Sequence, residues 1–205
     1  MKPKYWNKGK SYLSNNDKVL KLIIDKFPDE YLKLNTNFYQ ALLNSIIGQQ
    51  ISVSAASSIK KKFFNLNKNI KPSNILKLSD ETLKKCGLSR QKILYINNIS
   101  KFFLINKKFM SNINLYDEGI IKEKLISIKG VGNWTVDMFL LFGVGSSDIF
   151  PKGDLGFIKA ISKFYKKEIP INEVYLNKLK ERWSPYSSVA TWYLWRSLDP
   201  IAVSY

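Results

Sequence analysis

The sequence predicts an all-α fold. Apolar residues recur at spacings of three and four along most of the chain, and alternating apolar–polar stretches of the strand type are scarce. Helix-starting and helix-stopping residues punctuate that pattern at short intervals. Apolar residues make up 45% of the 205 residues, enough for a packed core and too many for a disordered chain. No run approaches the ~20 apolar residues of a membrane span.

The elements follow in order. Val19, Ile23 and Phe27 recur at helical spacing, and Pro28 stops that helix. Phe38, Leu42 and Ile46 repeat the pattern as far as Gly48. Ser52 can cap a helix carrying Ala55, Ala56, Ile59 and Phe63. Pro72 and Ser79 open two short helices, and Gly87 closes the second. Ser89 caps a long helix with Ile93, Ile96, Ile99 and Phe103, and another runs from Asp117 to Ile128. Gly130-Val131-Gly132 interrupts, and a helix resumes from Asn133 to Leu141. A loop from Gly143 to Gly153 precedes helices over 154–165, 172–183 and 185–198, the last opened by Ser184-Pro185 as N-cap and first residue. The total is about ten helices with short connections.

Composition narrows the chemistry. With 33 basic and 16 acidic residues the net charge is +17, so phosphates or an anionic surface are the expected partners. Thirty of the 33 basic residues are Lys, and part of that excess fits the codon bias of an AT-rich genome. The absence of His excludes His-based acid–base catalysis, Ser-His-Asp triads and His metal sites. The single Cys86 excludes an internal disulfide framework and a four-thiolate zinc or iron–sulfur site. The start, Met1-Lys2-Pro3-Lys4-Tyr5-Trp6, has no apolar core of a secretory signal.

Residues 125–136, Leu125 through Val136, read as helix, tight glycine turn, helix. Glycines one residue apart let the backbone bend sharply and approach another surface, and the second helix begins with outward N–H groups suited to a phosphate. By itself such a turn also suits an ordinary helix–helix connection. A second segment, Phe150-Pro151-Lys152-Gly153-Asp154-Leu155-Gly156, places Asp154 22 positions after Gly132. Together with Ile46-Ile47-Gly48-Gln49-Gln50-Ile51-Ser52 and the aromatic run from Trp183 to Arg196, these segments span most of the chain. In that order the sequence resembles the helix–hairpin–helix DNA glycosylases (the HhH-GPD superfamily). More narrowly it is similar to their alkylation-repair branch, DNA-3-methyladenine glycosylase II.

The resemblance implies two helical lobes with a central DNA-binding cleft. Residues 36–153 would form the lobe with the hairpin, and 1–35 plus 154–205 a discontinuous second lobe. The additional N-terminal β-domain of some relatives is not expected. The implied activity is a monofunctional glycosylase that flips alkylated purines of the 3-methyladenine and 7-methylguanine type out of duplex DNA. It would hydrolyse the N-glycosidic bond and leave an abasic site. A glycosylase of this fold for hypoxanthine, an oxidised base or a deaminated base, and a non-catalytic DNA-binding module, are the alternatives.

Asp154 is the implied catalytic residue, stabilising positive charge on the deoxyribose as the base leaves, and it is also placed to cap the following helix. Asp148 and Asp137 are nearby alternatives. Trp134 stands where bifunctional relatives carry the Schiff-base Lys, so no lyase activity is expected, although Lys129, Lys152 and Lys159 are close in sequence. Trp134 and Trp195 are the pocket candidates by family position, with Trp192, Tyr39, Tyr193 and Tyr186 behind them. Electron-rich faces suit a flipped cationic base, while core packing is the ordinary use of any one aromatic. Gln50 or Ser52 would supply the wedge that fills the gap in the stack. Lys129, Gly130, Val131, Gly132, Asn133 and Thr135 would contact DNA. By resemblance, the carbonyls of Ile126, Ile128 and Val131 would hold a structural Na+ or K+. No cofactor is required and no iron–sulfur cluster is expected. The expected partner is double-stranded DNA containing damaged bases, bound by a monomer away from membranes. The expected place is the bacterial cytoplasm at the nucleoid, or the nucleus of a eukaryote.

Overall fold

The computed structural model describes residues 1–66 and 70–199, and among them it contains helices and no strand. In chain order these are α1 (Trp6–Asn16), α2 (Lys18–Lys26), α3 (Phe38–Gly48), α4 (Val53–Asn65), α5 (Pro72–Ile75), α6 (Asp80–Lys85) and α7 (Arg90–Ile105). They continue as α8 (Lys107–Ser111), a 3-10 turn (Ile113–Leu115), α9 (Glu118–Ile126), α10 (Asn133–Phe139) and a π-helical turn (Leu140–Val144). The last three are α11 (Leu155–Tyr165), α12 (Glu173–Trp183) and α13 (Ser187–Arg196). No described helix is long and apolar enough to cross a membrane.

Among the described residues the chain forms two compact units, residues 1–34 with 140–199, and residues 35–139; residues 200–205 of the expected second lobe lie outside the described residues. The second boundary therefore falls at 139/140 rather than 153/154. The cause is the loop after the π-helical turn. Ser188 donates from its hydroxyl to the Ser146 carbonyl (2.6 Å) and from its N–H to the Ser147 carbonyl (3.1 Å). Ile149 donates to Ser188 Oγ (2.9 Å) and accepts from Thr191 Oγ1 (3.1 Å). The loop is thus laced to α13.

In this unit α13 is the axis. Ser187 through Trp195 are all buried, and α1, α2, α11 and α12 pack around them. Helix α1 had no place in the sequence expectation because the middle of its buried stripe, Trp6-Gly9-Leu13, is a glycine. A Cβ at Gly9 would lie 2.8 Å from Val189 Cγ2, so the missing side chain is what lets α1 approach α13. Asp17 caps α2 with Oδ1 on the Val19 and Leu20 N–H groups, while Oδ2 accepts from Tyr165 Oη (2.9 Å) and Trp183 Nε1 (3.0 Å). A carboxylate 3% exposed is tolerable only with such partners. Burial, and then Asp17, push the Tyr165 phenol up.

The Ser184-Pro185 start expected for the last helix is corrected. Ser184 ends α12 and α13 begins at Ser187. The cap comes from the distant Asp148, which accepts from the Ser187 N–H (3.1 Å), the Ser187 hydroxyl and the Ser184 hydroxyl (2.7 Å).

In the second unit α3 is central, with Tyr39, Ala41, Leu42, Leu43, Ser45, Ile46 and Ile47 buried against α4, α7 and α10. The caps expected at Ser52, Ser79 and Ser89 are present, each hydroxyl accepting an N–H three residues on. Helix α8 and the 3-10 turn were not anticipated.

Candidate functional site

The hairpin between α9 and α10 is pinned by the buried side chains of Leu125, Ile128 and Val131. Gly130 has φ 105°, and a Cβ there would fall 2.1 Å from Tyr95 Cγ, so the turn closes over the tyrosine ring only with glycine at this position. Gly132 is the opposite case: it is exposed and a Cβ would meet nothing within 4 Å. Asn133 beside it is exposed too, at the N-terminal end of α10 where N–H groups lack helical acceptors.

Carbonyls of the turn are held from within. The Asn98 amide donates to the Lys129 carbonyl (3.2 Å), and the Gln49 amide to the Gly130 carbonyl (3.1 Å) and Thr135 Oγ1 (2.8 Å). Thr135 is 1% exposed, so its side chain belongs to the scaffold of the hairpin rather than to a DNA-facing surface, which corrects the expectation for it. Lys129 and Ile126 are exposed. The Ile128 carbonyl accepts the Val131 N–H (2.9 Å).

The loop after α3 separates the two wedge candidates. Ser52 Oγ accepts the Ala55 N–H (3.3 Å) as the α4 cap. Gln50 is exposed and sits at φ 56°, in the left-handed region.

Trp134 is half-buried. Tyr39, in the same unit, is 5% exposed; its hydroxyl is 2.6 Å from Ser100 Oγ and its ring meets Phe103 edge-on at 5.0 Å. Burial pushes its phenol up to about 12. Tyr39 is among the residues lining an open depression of about 540 Å³, with Phe38, Phe103 and Met110, but its 5% exposure corrects it to a core residue rather than an open aromatic face.

The carboxylate lies in the other unit. Pro151-Lys152-Gly153 forms a tight turn in which the Asp154 N–H donates to the Pro151 carbonyl (2.9 Å). Asp154 then caps α11, its Oδ1 accepting the Phe157 N–H (2.6 Å) and the Trp195 indole N–H (2.9 Å). Gly156 gives this arrangement room, since a Cβ there would lie 3.1 Å from Oδ1 and 3.6 Å from Trp195. Trp195 is 6% exposed and stacks on Phe142 at 6.1 Å and 12°. It therefore orients the carboxylate more than it offers a face to a ligand. Asp154 itself is half-buried.

Trp192 is corrected outright. It is 1% exposed and meets Trp6 edge-on at 5.4 Å in the core. Tyr193 and Tyr186 are buried with it. Asp148 is occupied by the start of α13, and Lys152 by Glu173 (3.1 Å) and Asn177 (2.7 Å). Gln49, Asn98, Tyr95 and Phe142 had no assigned role in the sequence reading. The partners named for them above are 31 to 86 positions away, beyond any local signal, except that two adjacent glutamines before a helix cap marked the loop.

The model of the HhH-GPD superfamily base excision DNA repair protein matches residues 43–185. The chain is 33% identical over 190 residues to a Bacillus subtilis protein named putative DNA-3-methyladenine glycosylase YfjP, an alignment covering 88% of this chain and 66% of that protein. It is 30% identical over 165 residues to DNA-3-methyladenine glycosylase 1 of Schizosaccharomyces pombe, covering 78% and 72%. Among solved structures, the S. pombe 3-methyladenine DNA glycosylase (Mag1) in complex with abasic DNA superposes with a TM-score of 0.81 at 25% identity, covering 93% of this chain and 96% of that one.

Proposed function

The chain belongs to the HhH-GPD superfamily of base excision DNA repair proteins, and from that premise we propose that it is a monofunctional glycosylase for alkylated purines in duplex DNA. The observation that carries the proposal is Asp154, a carboxylate immobilised on one oxygen by the Phe157 N–H and the Trp195 indole. A preorganised negative charge is what the reaction needs, because positive charge develops on the deoxyribose as the base departs. The same group orients the water that completes hydrolysis. N3- and N7-methylated purines are already cationic, so they leave as neutral bases without a general acid. A chain with no His is therefore equipped for the step.

The base must leave the stack before it reacts. In this reading the exposed Gly132 and Asn133 present N–H groups to a strand phosphate, supported by the open space at Gly132 and by the net charge of +17. Gln50 fills the vacated place in the stack, and Ser52 is its helix cap. Trp134 supplies an aromatic face to the cationic base. It also occupies the position of the lyase amine, so the product is an abasic site in an intact strand. The neutral carbonyl oxygens of Ile126, Ile128 and Val131 suit a hard alkali cation, which would brace the turn. The protein works at the chromosome, in the nucleoid of a bacterium or the nucleus of a eukaryote.

The test is chromatography of bases released from methylated duplex DNA. Free 3-methyladenine and 7-methylguanine, with strands that break only after alkali, support the proposal. Release of hypoxanthine or an oxidised purine in their place would reassign the substrate.

A further inference from the structure

Gln49 follows α3 as its C-cap and directly precedes the left-handed, exposed Gln50. Its amide nitrogen faces both the Gly130 carbonyl and the Thr135 hydroxyl, at 3.1 and 2.8 Å. A carbonyl only accepts, so the nitrogen rather than the oxygen of the amide lies there, and both of its protons are used. Gln49 is half-buried and Thr135 is 1% exposed, so water replaces neither bond easily. The two acceptors bracket the turn, one before the exposed Gly132 and Asn133 and one after. A single side chain thus fastens both ends of the turn to the neighbour of Gln50. Helix α7 fixes the same two segments from below: Lys92 Nζ donates to the Ile47 carbonyl near the end of α3 (2.7 Å), and Asn98 to the Lys129 carbonyl (3.2 Å).

We propose that Gln49 is a positioning residue that sets the distance between the phosphate-gripping turn and the wedge at Gln50. Gripping the strand then delivers the wedge to one place in the base stack. The proposal rests on the reading of the protein as a base-flipping glycosylase. Contact with undamaged DNA needs the turn alone, whereas flipping needs turn and wedge at a fixed spacing. Loss of Gln49 should therefore leave ordinary binding and weaken the flipped state.

The test uses Gln49→Met, which keeps length and burial but has no donor, and Thr135→Val, which keeps shape and removes one acceptor. The probe is a duplex with a tetrahydrofuran abasic-site analogue beside 2-aminopurine, whose fluorescence reports unstacking. Gln49→Met should bind undamaged duplex within about twofold of wild type and lose most of the fluorescence change. Its single-turnover base release should fall by about 10- to 100-fold, the scale expected of a misplacement near 1 Å. Thr135→Val should move both readouts the same way but less, and the double variant should be no worse than Gln49→Met, because the two residues share one bond. If Gln49→Met melts well below wild type, Thr135→Val carries the comparison. An unchanged fluorescence response, or a loss of undamaged-DNA affinity as large as the loss of release, overturns the proposal. A wild type that releases no base while Gln49→Met still loses the fluorescence change would sink the glycosylase reading and leave the positioning role standing.

Discussion

Alanine at the two glycines of the hairpin should do opposite things. At Gly130 the new Cβ would sit 2.1 Å from Tyr95 Cγ, with the other near ring atoms at 2.2 and 2.6 Å, on a backbone at φ 105°. A β-carbon at positive φ costs about 1–3 kcal/mol, and forcing an extra carbon into a filled contact costs about 1–3 kcal/mol more. The sum, on the order of 4 kcal/mol, is a large part of the ~5–15 kcal/mol that holds a domain folded. At Gly132 nothing lies within 4 Å and φ is ordinary, so folding should lose only the ~0.5–1 kcal/mol of a poorer helix cap. The added methyl group does stand on the exposed side of the turn, where a phosphate would have to come within hydrogen-bonding distance. Urea denaturation and fluorescence anisotropy with a labelled duplex separate the two effects. Gly130→Ala should shift the denaturation midpoint strongly, while Gly132→Ala should melt nearly as wild type and bind DNA at least tenfold more weakly. Full DNA affinity in Gly132→Ala would remove the hairpin from the DNA interface.

Binding to undamaged duplex should weaken steeply with salt, with a log–log slope of about −0.9 per phosphate contacted, and a flat dependence would contradict the role assigned to the +17 charge. Borohydride should trap no covalent complex with lesion DNA, because Trp134 has no amine; an adduct would point instead to a lysine near the hairpin. Trp195→Phe keeps the ring against Phe142 and removes the 2.9 Å bond to Asp154. Because the carboxylate is half-buried, the low end of a charged hydrogen bond applies, about 1.5 kcal/mol, or roughly tenfold in base release. A fall in melting temperature with unchanged release would make Trp195 a structural residue only.

The hairpin and the Asp154 loop were legible because each is local. Closely spaced glycines and an Asp before a helix carry their meaning within a few residues. The caps at Ser52, Ser79 and Ser89 were legible for the same reason. What escaped was set at long range. The cap of α13 comes from Asp148, 39 positions before Ser187, so the nearby Ser184-Pro185 misled. Aromatic residues on α13 share one helix, and spacing alone does not say which face meets the core; Trp192 turned inward to Trp6, and Trp195 to Asp154. Helix α1 hid behind Gly9, a core position with no side chain to register. The tie from Gln49 to Thr135 spans 86 positions.

The central claim is that the carboxylate of Asp154 drives release of the base. Asp154→Asn retains an oxygen to accept the Phe157 N–H and the Trp195 indole, so the cap and the fold should survive. It loses the charge that faces the developing sugar cation, which is worth on the order of 10²–10³ in rate. Single-turnover release from methylated duplex, with duplex affinity measured alongside, is the direct measurement. The account predicts a loss of that order in release with affinity kept or improved. Release equal to wild type for every base the wild type removes would contradict it and leave Asp154 as a helix cap.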